Sequence, residues 1–265
     1  MENYYQPRET TLNFGASALV KVNKPLLKFC IFSILGGAFI AFGGLLSVMV
    51  SGGMTGVGVD NPGLVKFMAG ALFPIGLIMV SISGADLFTS DCAAFTIAGL
   101  KKEVSILTFF KYLLLSYLFN FIGTQIVAYL LTYQVGLLQD VPWTTYFHQY
   151  AEGKVYQSFS TVFLKGIGAN WLVCLGMFLG YASKDIIGKC IGIWIPVMLF
   201  VTLGYEHSIA NMFFIPTAIY TGAEITWLDF LIKNLIPSTI GNFIGGAVFV
   251  GAAYWYLFIH ENSKK

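Results

Sequence analysis

Long apolar stretches alternate with short polar connections along the whole chain. Six apolar runs stand out, at about 26–51, 64–99, 105–134, 158–182, 187–218 and 228–259. A helix needs about 20 apolar residues to cross a bilayer. None of the runs alternates apolar and polar positions as the strands of a membrane barrel do. The pattern therefore predicts an all-α polytopic membrane protein with six transmembrane helices. Two of the runs are interrupted. The second contains Ser83-Gly84-Ala85-Asp86-Leu87-Phe88-Thr89-Ser90-Asp91, and the fifth contains Gly204-Tyr205-Glu206-His207-Ser208-Ile209-Ala210-Asn211. Glycine and polar groups at such depth predict broken helices, because non-helical backbone survives in a membrane only when protein or a wet cavity surrounds it.

The two breaks correspond. Pro74 and Pro196 are 122 residues apart, Gly84 and Gly204 120, and Asp86 and His207 121; Asn120-Phe121-Ile122-Gly123 returns as Asn242-Phe243-Ile244-Gly245 after 122. This predicts two copies of a three-helix unit, at about 26–134 and 158–259. Three spans per copy is an odd number, so the second copy should insert upside down. Paired interrupted segments in inverted halves point to a transport site. The expected organisation is an N-terminal segment at 1–25, one transmembrane channel domain at 26–260 and a tail at 261–265. Within the first segment Leu12, Ala16 and Leu19 have helical apolar spacing, as a piece lying along the membrane face would.

Composition supports the membrane reading. Residues are 57% hydrophobic and 11% charged, against about 25% charged in a soluble domain. A net charge of +2 gives no reason to expect nucleic acid. Cys30, Cys92, Cys174 and Cys190 show no metal or disulfide spacing, so neither a metal nor any other cofactor is expected. The first apolar run is too long for the core of a signal peptide. Arg8, Lys21, Lys24, Lys28, Lys101, Lys102, Lys111, Lys184, Lys189, Lys264 and Lys265 fall on one side of the predicted membrane; Lys66, Lys154 and Lys233 fall on the other, with Lys165 inside span four. Cytoplasmic loops are enriched in Lys and Arg. Both termini are therefore expected in the cytoplasm, with the chain in the cell membrane.

Candidate chemistry gathers at the breaks. His207 is the strongest candidate, since an ionisable residue at membrane depth is a functional candidate and His changes charge near working pH. The competing reading is a histidine that braces two helices. Glu206, Asp86 and Asn211 are expected to be structural, Glu206 accepting bonds from backbone N–H groups freed by the break. Asp86 has an alternative as a proton relay to His207. Thr89 has two readings, a donor to an anion or to His207, and a cap for the resuming helix.

GADLFTS at 84–90, GIGANWLVCLG at 166–176, GYEHSIANM at 204–212 and NLIPSTIGNFIGG at 234–246 together resemble the signatures of the formate/nitrite transporter family. The resemblance spans essentially the whole chain. It implies an aquaporin-like protomer, a homo-oligomer of five with one pore each, and passage of small monovalent anions such as formate, nitrite or hydrosulfide. It places the central pore histidine at His207, its pore-loop partner at Thr89 and a pore asparagine at Asn242. It places apolar constriction residues at Phe73, Leu77, Phe88, Val173 and Phe200, and vestibule lysines at Lys154 on the outer and Lys24 on the inner side. Tyr205 stands where some members carry Phe. The resemblance gives Lys165 no role.

A bare anion between Phe and Leu side chains loses its hydration, at a cost of tens of kcal/mol in the idealised limit. Either the anion stays hydrogen-bonded to Thr89, Asn242 and a protonated His207, or it collects a proton in the vestibule and crosses as the neutral acid. The second is favoured, because an apolar lining disfavours the charged form. Two other classes remain open. A pore for neutral solutes is one, although the chain contains no NPA motif. An integral membrane enzyme is the other, although no cluster of histidines presents itself.

Overall fold

The computed structural model describes residues 3–260; the expected tail at 261–265, with Lys264 and Lys265, lies outside them. Among the described residues the regular elements are helices. Five are long and apolar enough to cross a membrane: Leu26–Gly52, Pro62–Ser83, Ile106–Tyr133, Phe159–Ala182 and Trp227–Phe258. Three shorter apolar helices, Phe88–Leu100, Ile186–Thr202 and Ser208–Tyr220, complete the set. We call Leu26–Gly52, Ile106–Tyr133, Phe159–Ala182 and Trp227–Phe258 spans 1, 3, 4 and 6. Pro62–Ser83 and Phe88–Leu100 are the halves 2a and 2b of span 2; Ile186–Thr202 and Ser208–Tyr220 are the halves 5a and 5b of span 5.

Both expected breaks are present and shorter than the polar stretches suggested. Residues 84–87 and 203–207 are non-helical, and 2b resumes at Phe88, so Thr89, Ser90 and Asp91 belong to its first turn. The same device makes each break. Gly84 (φ +76°) and Gly204 (φ +70°) take the left-handed conformation that glycine adopts without steric cost. Ala85 N–H then donates to Val80 O at 3.1 Å, and Tyr205 N–H to Phe200 O at 3.0 Å, closing each half-helix as a Schellman turn. The next amides leave the helix altogether. Asp86 N–H donates to Phe32 O of span 1, and Glu206 N–H to Lys165 O of span 4.

An asparagine from a third helix finishes each repair. Asn120 of span 3 accepts from Phe88 N–H at 2.9 Å and donates to Ser33 O and Asp86 O. Asn242 of span 6 accepts from Ser208 N–H at 2.7 Å and donates to Gly166 O and Glu206 O. Both asparagines are fully buried. Unpaired polar backbone there would cost about 1–3 kcal/mol per group, so these bonds are what allows a broken helix at that depth. The matched pattern corrects one register. The counterpart of Asp86 is Glu206, and that of His207 is Leu87, because Asn120 and Asn242 grip the backbone of Asp86 and Glu206 in the same way.

Spans 1 and 3, and spans 4 and 6, cross closely. A Cβ on Gly123 would collide with the carbonyl of Ile34, and one on Gly245 with that of Ile167. The two Asn-Phe-Ile-Gly segments therefore set both the helix crossing and the splint one turn before it.

One element was not anticipated. The connection between spans 3 and 4 contains the helix Trp143–Val155, which carries Lys154 near its end. The helix expected around Leu12, Ala16 and Leu19 runs Pro7–Val22 and packs against the spans. Its Thr10, Thr11, Phe14 and Ala18 are buried, and Phe14 stacks on Tyr181 of span 4 at 5.0 Å. Many large apolar side chains on the spans remain exposed, Leu114, Leu164, Ile191 and Val248 among them. They are suited to lipid or to neighbouring protomers.

Candidate functional site

The two breaks meet through their second half-helices. His207, the N-cap of 5b, turns its ring so that Nδ1 accepts a bond from Ala210 N–H at 3.0 Å. Its Nε2 lies 3.0 Å from Thr89 Oγ1 in the first turn of 2b. A nitrogen that accepts cannot carry a proton, so the ring is neutral with its proton on Nε2, donated to Thr89. Thr89 uses its lone pair here and keeps its own hydroxyl hydrogen to give. The capping reading of Thr89 is therefore replaced: the cap of 2b is Leu87, without a side-chain bond. The bracing reading of His207 is realised in this geometry, since Nδ1 caps 5b and Nε2 meets Thr89 of 2b, which ties the two half-helices together.

His207 also stands at a boundary in solvation. On one side is a cavity of about 430 Å³ whose lining includes Lys66, Lys154, Lys165, Glu206 and Tyr205. On the other is a narrow gap, too tight for a water molecule, between Ile40, Phe73, Leu77, Val173, Val197 and Phe200. Phe73, Phe200 and His207 line both. Phe73 and Phe200 meet edge to face at 5.9 Å, and Phe200 stacks on the His207 ring at 5.8 Å.

Four of the five expected constriction residues thus surround the gap. Phe88 does not; its ring packs on Tyr117 of span 3 at 4.9 Å. Ile40 and Val197 were missed. The internal repeat held the signal for both. The bonds at the breaks, which pair Phe32 with Lys165 and Ser33 with Gly166, set span 4 on span 1 at an offset of 133 and so pair Ile40 with Val173, and the breaks match at 120, which pairs Leu77 with Val197.

Asn242 is also placed differently from expectation. Its oxygen and both amide hydrogens are committed to Ser208, Gly166 and Glu206. It holds the break and has no donor left for an anion.

Glu206 is buried, and its carboxylate is held by side chains rather than by the freed backbone amides expected for it. Lys154 Nζ lies 3.2 Å from Oε2, Asn211 Nδ2 2.7 Å and Asn234 Nδ2 3.2 Å, while Gln157 Nε2 donates to Oε1 at 3.2 Å. Asn211 donates to Asn234 as well. Burial pulls the Lys154 ammonium down, but the Glu206 carboxylate and Tyr150 more than offset it, so its pKa ends raised.

At the break of span 2 Asp86 plays the corresponding part. Lys24 Nζ is 3.2 Å from its Oδ2 and Lys21 Nζ 3.3 Å from its Oδ1. Lys21 also pairs closely with Asp91. Asp86 therefore sits with two lysines at the other side of the break and makes no bond to His207, so the direct relay is not formed. Lys24 Nζ lies over the Phe32 ring at 4.2 Å. The more buried cation is Lys21, which sequence reasoning counted only as a loop charge. The repeat marks it, since 133 residues separate it from Lys154. Burial lowers the Lys21 ammonium pKa, yet Asp91 and Asp86 raise it further than burial depresses it. Among the described residues no group of three or more His, Cys, Asp or Glu side chains could hold a metal ion.

The chain matches the family model described as "Formate/nitrite transporter" over residues 8–256. It is 42% identical to a "Probable formate transporter" of Methanothermobacter thermautotrophicus over 98% of this chain and 99% of that one. Among solved structures, an "FNT family ion channel" superposes with a TM-score of 0.83 at 29% identity, covering 95% of this chain and 98% of the other. A "Pentameric formate channel with formate bound" gives a TM-score of 0.77 at 29% identity, over 88% and 97%. With its paired broken helices, its neutral histidine at a dry gap and this match along nearly its whole length, the chain belongs to the formate/nitrite transporter family.

Proposed function

We propose that this protein passes small monovalent anions of weak acids, such as formate, nitrite or hydrosulfide, across the cell membrane, and that they traverse the gap as neutral acids. The observation that carries the reading is the position and state of His207, a neutral ring between a cavity with three lysines and a gap that excludes water. An anion reaches the cavity by attraction to the lysines. At the gap its hydration must go, which favours taking up a proton. The His207–Thr89 pair offers a hydroxyl donor at that point, and the N-termini of 2b and 5b add positive potential while charge remains. Beyond the gap the acid gives its proton to water, so one proton moves with each anion. The protein catalyses no covalent reaction.

The pentameric formate channel of the same fold and the exposed apolar faces of the spans support five protomers in a bilayer, each with its own pore. The two halves, alike in their break chemistry, are inverted repeats with both termini in the cytoplasm. Eleven basic residues against three outside support that orientation.

Proteoliposome flux tests the function. Formate, nitrite and hydrosulfide should each enter faster at acidic than at neutral pH, and a small neutral solute should not compete. Passage of glycerol or urea, with no weak-acid flux at either pH, would replace this reading with a neutral-solute pore.

A further inference from the structure

The lysines of the two mouths differ in how their charge is compensated. At the His207 cavity, Lys154 is paired with Glu206, so the two charges largely cancel at a distance. Lys165, on span 4, is different. Its Nζ donates to Gln157 Oε1 at 2.6 Å, a neutral amide. Gln157 is itself fixed, because its Nε2 donates to Gly153 O at 2.7 Å and to Glu206 Oε1 at 3.2 Å. None of the ion pairs among the described residues includes Lys165. An ammonium has three N–H groups, and this contact uses one of them.

At the opposite mouth the cations are Lys21 and Lys24, and they face two carboxylates, Asp86 and Asp91. The position matching Asp91 in the second half, 120 residues on, is Asn211, a neutral residue. Two cations against two anions leave that cluster without net charge. The cluster of Lys154, Lys165 and Glu206 keeps one positive charge. Lys66 also lines the cavity, but it is exposed, where water and salt screen it.

We propose that Lys165 is the anion-capturing residue of the His207-side vestibule, and that capture is stronger from that side than from the other. Held by Gln157 at the cavity wall, its ammonium attracts an anion from solvent and offers it the remaining N–H donors. Lys154, by contrast, chiefly holds Glu206. The inference rests on the transport reading above and assigns the side and the residue at which the substrate is first bound.

The test is labelled-formate uptake into vesicles of known protein orientation, at low salt and at physiological salt. Lys165→Gln removes the charge and keeps a hydrogen-bonding side chain. It should raise the half-saturation concentration for entry from the Lys165 side about two- to fivefold at low salt, as loss of one partly screened charge would. The rise should shrink with added salt and be smaller for entry from the opposite side. Lys165→Arg should restore the wild-type value, and Lys66→Gln should have the lesser effect. A role confined to bracing Gln157 would instead lower assembly or maximal flux and leave half-saturation and its salt dependence as in wild type; that result for Lys165→Gln would overturn the inference, as would an equal shift from both sides. Wild-type vesicles with no formate flux would sink the transport reading and this inference with it.

Discussion

His207 Nε2 and Thr89 Oγ1, 118 positions apart in the chain, lie 3.0 Å from each other and join the two resuming half-helices at the mouth of the gap. The His207 ring is held at both nitrogens, so its position and tautomer are set before any substrate arrives. That distinguishes two contributions of the side chain: capping 5b through Nδ1 and presenting a donor pair through Nε2.

Substitution at His207 separates them. Asn at 207 can still cap Ala210 N–H, since Asn is among the best cap residues, but it cannot pass a proton. His207→Asn should assemble as the wild type does and conduct, with flux that no longer follows pH. His207→Phe keeps a ring, removes both nitrogens and should conduct little, because nothing offsets the desolvated anion. Flux per assembled protein from acidic to neutral pH decides this. An Asn variant with the wild-type pH profile would end the proton-handling role.

Thr89→Val keeps the shape of the side chain and removes its hydroxyl. It leaves the His207 Nε2–H unpaired in a buried site, which costs about 1–3 kcal/mol. Weak-acid flux should fall at least about tenfold if the hydroxyl donates near the transition state, while Thr89→Ser should keep most of it. Equal flux through the Val and wild-type proteins, at matched assembly, would remove Thr89 from the pathway.

The asparagine splints should behave as a pair. Asn120→Leu and Asn242→Leu each strip a buried N–H and two carbonyls of their partners. Each should destabilise the protein by several kcal/mol, at about 1–3 kcal/mol per orphaned group, and by similar amounts. Thermal unfolding of the purified oligomer measures it. If Asn242 instead served the substrate, its variant would unfold like the wild type and lose flux alone.

Orientation can be tested at two exposed positions. Val59, beside the loop between spans 1 and 2, is 83% exposed, and Lys102 lies in the connection between spans 2 and 3. A membrane-impermeant thiol reagent should label Val59→Cys in intact cells, and Lys102→Cys only after permeabilisation. The reverse pattern would turn the protein over in the membrane.

The chain by itself marked the apolar runs, the two breaks and the segment that returns in the second half. These are local properties: the length of an apolar run, a glycine followed by polar residues, and an Asn-Phe-Ile-Gly segment that returns at constant spacing. It also marked His207 and Thr89 through signatures at the breaks. Only the tertiary structure decided which polar side chain meets which. Helix rotation and crossing set those contacts, and both depend on close approaches such as that of Gly245 to the Ile167 backbone. That is why Asn242 proved to hold backbone rather than face the passage, why Phe88 packs on Tyr117, and why Lys21 joins Lys24 at Asp86. The neutrality of His207 was equally hidden, because it depends on an acceptor geometry at Ala210 N–H that exists only once 5b has begun its first turn.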